Sequence, residues 1–243
     1  MNASQHRVLI VEDETALAEG LKFNFEQEGY EVLLAGDGPT AIELAERSDP
    51  PPDVVVLDIM LPSMSGYEVC TKIRETNQHI PILVLSARTL SEDKAQAFDV
   101  GSDQYMTKPF ALPELLSRVR NLIERRQASP PPRKKDEIET YEFDDTKIDF
   151  RKFELVSRGE LHSLTTMEMQ LLRYFVQNPD VVLSRNEILK DVWDEPGDVT
   201  TRSIDNFVLR LRRMIEPKPN QPIYLLSVRG TGYRFNPTGH VTD

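Results

Sequence analysis

Five short runs, most of them apolar, punctuate the first half of the chain: Arg7–Val11, Glu31–Ala35, Val54–Asp58, Ile82–Ser86 and Gln104–Thr107. Each is too short for an ordinary helix, and most are rich in Val, Ile and Leu, the pattern of a strand covered on both faces. Between them lie apolar residues at helical spacing: Leu17, Leu21 and Phe25; Ala41, Leu44 and Ala45; Tyr67, Cys70 and Ile73; Ala95 and Phe98; Leu115, Val119 and Leu122. Strand and helix in strict alternation imply a parallel sheet, because parallel neighbours must be joined by crossovers. The expected fold over residues 1–125 is α/β, a doubly wound five-stranded parallel sheet with helices on both faces.

Ligands of such sheets bind beyond the carboxyl ends of the strands, at the point where the strand order reverses. Glu12 and Asp13 directly follow the first run, Asp58 closes the third, Ser86 ends the fourth and Lys108 stands just past the fifth. Three carboxylates sharing one rim repel and raise one another's pKa unless a cation neutralises them. Hard oxygen donors left partly hydrated suit Mg2+. A carboxylate that attacks phosphorus forms an acyl phosphate. Asp58, Lys108 and Ser86 are therefore the candidate catalytic groups: Asp58 as nucleophile, Lys108 countering developing charge, and Ser86 bonding phosphoryl oxygens afterwards. Any one of these alone is an ordinary polar strand end; all of them on one rim make a phosphoryl site.

Pro130, Pro131 and Pro132 interrupt both helix and sheet, which places a flexible linker over residues 126–138 and a second domain over 139–238. There the periodicity changes. Thr140 to Leu164 reads as a small antiparallel sheet, a helix opens at Thr165 through a Thr165/Glu168 capping box, and helices follow over Arg185 to Trp193 and Thr201 to Ile215. A hairpin over Ile223 to Phe235, turning at Gly230 to Gly232, completes an α+β winged helix. Net charge is -11, yet residues 1–125 carry 11 Lys and Arg against 21 Asp and Glu, while 126–243 carry 18 against 19. The acidity belongs to the first half, so it does not argue against nucleic acid as a partner of the second. The apolar run Val8 to Val11 is far shorter than a signal-peptide core, no segment is long enough to span a membrane, and the single cysteine, Cys70, suits a reducing compartment. A cytoplasmic protein without membrane partners is expected.

The segments VLIVEDE, VVVLDIMLPSMSGYE, ILVLSA and GSDQYMTKPF resemble the motifs of the receiver domain of two-component response regulators, over residues 7–125. The resemblance implies a flavodoxin-like receiver phosphorylated on Asp58 by a histidine kinase, with Mg2+ held by Glu12, Asp13, Asp58 and the carbonyl of Met60. It implies a cis peptide before Pro109 and a switch pair, Ser86 and Tyr105, in which the hydroxyl moves to the phosphoryl group and the ring turns inward behind it. It implies no dedicated enzyme, although a receiver catalyses its own phosphoryl transfer and slow dephosphorylation. A Mg2+-dependent phosphohydrolase using Asp58 is the rival reading. It is disfavoured by Met60, which stands where such enzymes place a second acid.

RSIDNFVLRLRRMIEP and YLLSVRGTGYRF resemble the recognition helix and wing of the OmpR/PhoB-type winged helix, over residues 140–236. Arg202, Asn206, Phe207, Arg210, Arg212 and Arg213 on that helix and Arg229 on the wing become candidate DNA contacts, the helix in the major groove and Arg229 at the minor groove or backbone. Whether each arginine meets phosphate or a guanine edge stays open, as does whether Phe207 and Leu209 touch thymine methyls or merely pack. Relatives dimerise through helix four, strand five and helix five, which makes Lys94, Asp103, Glu114, Arg118 and Arg125 candidate interface residues. Lys94 with Glu114 and Asp103 with Arg125 match pairs of the family, whereas Gln104 replaces the acid opposite Arg118. The resemblance implies a homodimer on phosphorylation, promoter DNA with direct repeats, and a cognate kinase, with RNA polymerase as a further candidate partner. A DNA-binding regulator indifferent to phosphate is the second rival.

Overall fold

The computed structural model describes residues 6–127, 138–193 and 201–239. The chain divides into two compact units, residues 1–128 and 129–243. The first holds β1 (Arg7–Val11), α1 (Thr15–Gln27), β2 (Glu31–Ala35), α2 (Gly38–Arg47), β3 (Val54–Asp58), α3 (Gly66–Thr76), β4 (Ile82–Ser86), α4 (Ser91–Asp99), β5 (Gln104–Thr107) and α5 (Leu112–Gln127). All five strand bounds coincide with the runs read from the sequence. The strands are parallel and ordered β2-β1-β3-β4-β5, so the direction of winding reverses between β1 and β3. Every residue of β3 and β4 is buried, as helices on both faces require.

Local chemistry starts the helices where the sheet needs them. Asp37 caps α2, its carboxylate accepting from the Thr40 amide at 2.8 Å. Ser65 and Glu68 form a capping box on α3, directly below the rim where β3 ends. Helix α5 runs to Gln127, beyond the expected boundary at 125. Arg126 donates to the carbonyls of Pro52 and Asp53, both at 3.0 Å, so the last turn is fastened to the base of the sheet and Arg126 belongs to this unit, not to a linker. The rest of the expected linker, 128–137, lies outside the described residues.

The second unit opens with a four-stranded antiparallel meander, β6 (Thr140–Phe143), β7 (Thr146–Asp149), β8 (Glu154–Ser157) and β9 (Glu160–Ser163). Helix α6 (Thr166–Gln177) is capped by the Thr165/Glu168 box. The helix expected over Arg185 to Trp193 has two parts, an α-helical α7 (Arg185–Ile188) that continues as a π-helical turn (Leu189–Trp193). After α8 (Thr201–Ile215), β11 (Leu225–Val228) and β12 (Gly232–Phe235) form the hairpin. Their sheet has a third strand that sequence reading missed, β10 (Val182–Ser184), giving the order β10-β12-β11. The core between helices and sheets is aromatic: Trp193 meets Phe207 edge-on at 5.2 Å, and Phe143 meets Phe235 at 5.2 Å.

Candidate phosphoryl site and nucleic-acid interface

Strand ends build the first site. Beyond β1, Glu12 is buried and Asp13 exposed; at the end of β3, Asp58 is buried. One oxygen of each carboxylate lies within 4.8 Å of the others. The Lys108 ammonium reaches into this group, 2.6 Å from Glu12 Oε2 and 2.5 Å from Asp58 Oδ2. Burial alone would lower the Lys108 pKa, but its bonds to Asp58 and Glu12 outweigh that and hold it above the ordinary lysine value. Glu12 is shifted up, because burial outweighs the attraction of Lys108. The peptide before Pro109 is cis, as the resemblance implied.

The loop after β3 folds back over the acid: the Met60 amide donates to Asp58 Oδ1 at 2.8 Å, and Met60 itself is exposed. Ser86 is buried at the end of β4, its Oγ accepting from the Arg88 amide at 3.1 Å. Tyr105 is turned inward and buried, its hydroxyl donating to the Arg88 carbonyl at 2.8 Å. Burial pushes the Tyr105 pKa up, so the hydroxyl remains a donor. Arg88, two residues past Ser86, joins these two side chains. Its amide donates to Ser86 and its carbonyl accepts from Tyr105, while its guanidinium pairs with Asp93 at 3.0 Å.

The face expected to dimerise is wired differently from the sequence reading. Asp103 is fully buried, paired with Arg74 at 2.8 Å and accepting from the Ile82 amide at 2.9 Å. Arg118 is buried as well, bonded to Glu114 at 2.7 Å one helical turn away and 3.5 Å from Gln104. Neither is a surface charge, which corrects their assignment to an interface: a long or acidic side chain reads as exposed in a sequence even when a partner, near in the chain for Arg118 and distant for Asp103, lets it be buried. Lys94 is half-buried, 5.8 Å from the Tyr105 ring centre. Glu114 and Arg125 are also half-buried.

Helix α8 divides by face. Phe207 is buried against Trp193 and is a core residue, not a DNA contact. Arg210 turns to α6, 2.7 Å from Glu168. Arg212 donates to the Leu225 carbonyl at 2.6 and 2.9 Å and to Ser227 Oγ at 2.9 Å, holding α8 to β11. Those two arginines serve the fold in this structure, Arg210 as the partner of Glu168 and Arg212 as the link to β11. Asn206 and Leu209 are half-buried, while Arg213 and the wing residue Arg229 are exposed. The side chain of Arg202 lies outside the described residues.

With this geometry in hand, the chain matches the family model described as response regulator receiver domain over residues 8–120 and the one described as transcriptional regulatory protein, C terminal, over residues 159–235. It is 38% identical to the sensory transduction protein RegX3 of Mycolicibacterium smegmatis over 230 residues, 94% of this chain and 98% of the relative. It is 36% identical to the alkaline phosphatase synthesis transcriptional regulatory protein PhoP of Bacillus subtilis over 232 residues, 94% and 96% of the two chains. Among solved structures it resembles the response regulator DrrB, a Thermotoga maritima OmpR/PhoB homolog, with a TM-score of 0.50 and 30% identity, covering 96% of this chain and 99% of that one. Among the described residues no helix is long and apolar enough to cross a membrane.

Proposed function

Because the chain belongs to the response regulators, with a receiver domain and a C-terminal DNA-binding domain of the OmpR/PhoB type, we propose that a sensor histidine kinase phosphorylates Asp58 and that this promotes dimerisation and sequence-specific DNA binding to regulate transcription. The observation that carries the reading is the rim itself, where Lys108 bridges Glu12 and Asp58 while Asp13 completes an acidic group. In the step proposed, an Asp58 carboxylate oxygen attacks phosphorus. The bond from phosphorus to the kinase imidazole nitrogen breaks, its electron pair leaves with the imidazole, and an acyl phosphate remains. Lys108, already bonded to Asp58, moves no proton; it counters the charge that develops on the transferred oxygens. Ser86 then donates its hydroxyl to the phosphoryl group, with Tyr105 packed behind it.

Glu12, Asp13 and Asp58, with the Met60 carbonyl, would hold Mg2+. The donor set fits, since three carboxylates face a single ammonium and leave net negative charge. Bound there, Mg2+ would offset the charge of the phosphoryl oxygens. At the effector end, Asn206, Arg213, Arg202 and Arg229 are proposed to meet DNA, α8 entering the major groove. Lys94, Glu114 and Arg125 are the remaining interface candidates for a homodimer on direct-repeat promoter sites, in the cytoplasm, with residues 128–137 linking the two domains and RNA polymerase as a further partner.

The test is DNA affinity of the full chain, against duplexes selected from a random pool, before and after acetyl phosphate with Mg2+. Phosphorylation should tighten binding at least severalfold, and Asp58→Asn should remove both the near-stoichiometric label and the gain. Equal affinity with and without a label on Asp58 would leave a phosphate-indifferent DNA-binding regulator. Sustained turnover of small phosphate esters would point instead to a phosphohydrolase.

A further inference from the structure

Asp205 is the one acid in the α8 sequence, and its side chain is 45% exposed on a helix proposed to approach phosphates. Its role becomes clear from what it holds. Asp205 Oδ1 accepts from Arg185 Nε at 3.0 Å and from the Tyr233 hydroxyl at 2.5 Å. The Arg185 guanidinium lies 4.8 Å from the centre of the Tyr233 ring and 3.3 Å from its hydroxyl. The Arg185 amide donates to the Thr231 carbonyl at 3.3 Å.

One residue at the start of α7 therefore touches three pieces of the unit: α8 through Asp205, β12 through Tyr233, and the hairpin turn through Thr231. The turn also carries exposed Arg229. Two further features stiffen the junction. Gly232 presses so closely on β10 that a Cβ there would lie 2.0 Å from the Leu183 carbonyl oxygen. Arg212, which bonds β11, stands 5.9 Å from the same Tyr233 ring. Burial and the bond to Asp205 push the Tyr233 hydroxyl up to about 12, so it stays a donor across the physiological range.

We propose that Arg185 is a positioning residue that sets the register between α8 and the wing, so that the helix and Arg229 engage neighbouring grooves of one duplex together. A wing already held in place loses little freedom on binding, whereas a loosened one must be ordered at the expense of affinity. The inference rests on the DNA-binding reading and not on phosphorylation.

A double-mutant cycle separates positioning from direct contact. Affinity of the full chain for a duplex that it selects from a random pool is measured for wild type, Arg185→Ala, Arg229→Ala and the double variant. Arg229→Ala should weaken wild-type binding about tenfold, and should weaken Arg185→Ala by less than about twofold, because the wing of that variant is no longer held at its groove. The same cycle is run with Tyr233→Phe, which removes the hydroxyl's bonds to Asp205 and Arg185 and keeps the ring. That cycle decides the matter if Arg185→Ala fails to fold. Additive losses would overturn the proposal, making Arg185 an independent contact or a bystander, and so would an Arg229→Ala variant that binds like wild type. If the wild-type chain selects no duplex, the DNA-binding reading itself falls and the inference falls with it.

Discussion

At Gly66 the fold leaves no room for a side chain. A Cβ there would lie 2.2 Å from the Asp58 carbonyl oxygen and 2.7 Å from the Ile59 Cα, both backbone atoms that cannot swing aside. The close approach lets α3 begin immediately beneath Asp58, with the Gly66 amide donating to the Ile59 carbonyl at 2.9 Å. Gly66→Ala should cost about 1–3 kcal/mol, as overpacking does, and should slow acetyl phosphate labelling by displacing Asp58. Gly20 is the contrast, a mid-helix glycine in α1 whose added Cβ would meet nothing within 4 Å. Gly20→Ala should stabilise the chain by about 0.5–1 kcal/mol and leave labelling unchanged. Urea unfolding and phosphoryl incorporation, measured on both variants, check the pair. Equal effects of the two would show that the contact at Asp58 does not matter.

Helix starts give the protein a pH dependence. Asp37 on α2, Glu68 on α3 and Glu187 on α7 have pKa values lowered by bonds from Thr40, Ser65 and Ser184 respectively. Because the folded values lie below the unfolded ones, near 3.8 for Asp37 and 4.5 for the glutamates, their contribution is complete above the unfolded values. It is lost as pH falls through the folded ones. Glu12, raised by burial, contributes the opposite slope, so the informative quantity is a difference. The gap in urea midpoint between wild type and Asp37→Asn should shrink as pH drops from about 6 to about 3, because asparagine still caps the helix but does not titrate. A constant gap would refute the capping charge as its source. The capping box on α6 and all five parallel strands were legible in the sequence, since spacing and apolar runs encode them directly. Strand β10 was not: Val182–Ser184 spans three residues, two of them apolar, and pairs only because β12 lies beside it. The π-helical turn that ends in Trp193 likewise has no periodicity of its own, and its last residue packs on Phe207, a residue of another helix.

Across the whole molecule, the meeting of Glu12, Asp13, Asp58 and Lys108 on one rim could be read in advance because strand ends of a doubly wound sheet converge, whatever packs elsewhere. Surfaces could not, because whether a charge faces out depends on partners far along the chain. Asp103 illustrates the difference: 29 residues separate it from Arg74, which also donates to the carbonyls of Gly101 at 2.9 Å and Ile80 at 2.7 Å. This clip ties the end of α3 to the starts of β4 and β5, and a buried pair broken on one side leaves the other charge uncompensated. Asp103→Ala should therefore lower the unfolding free energy of the unphosphorylated chain by about 3–5 kcal/mol, independent of protein concentration. Lys94→Ala, at a half-buried position beside Tyr105, should change stability by less than about 1 kcal/mol yet weaken self-association of the phosphorylated chain. Denaturation together with sedimentation of both variants distinguishes the two roles. An Asp103→Ala chain as stable as wild type that fails only to dimerise would return Asp103 to the interface and show that its bond to Arg74 opens when two copies meet.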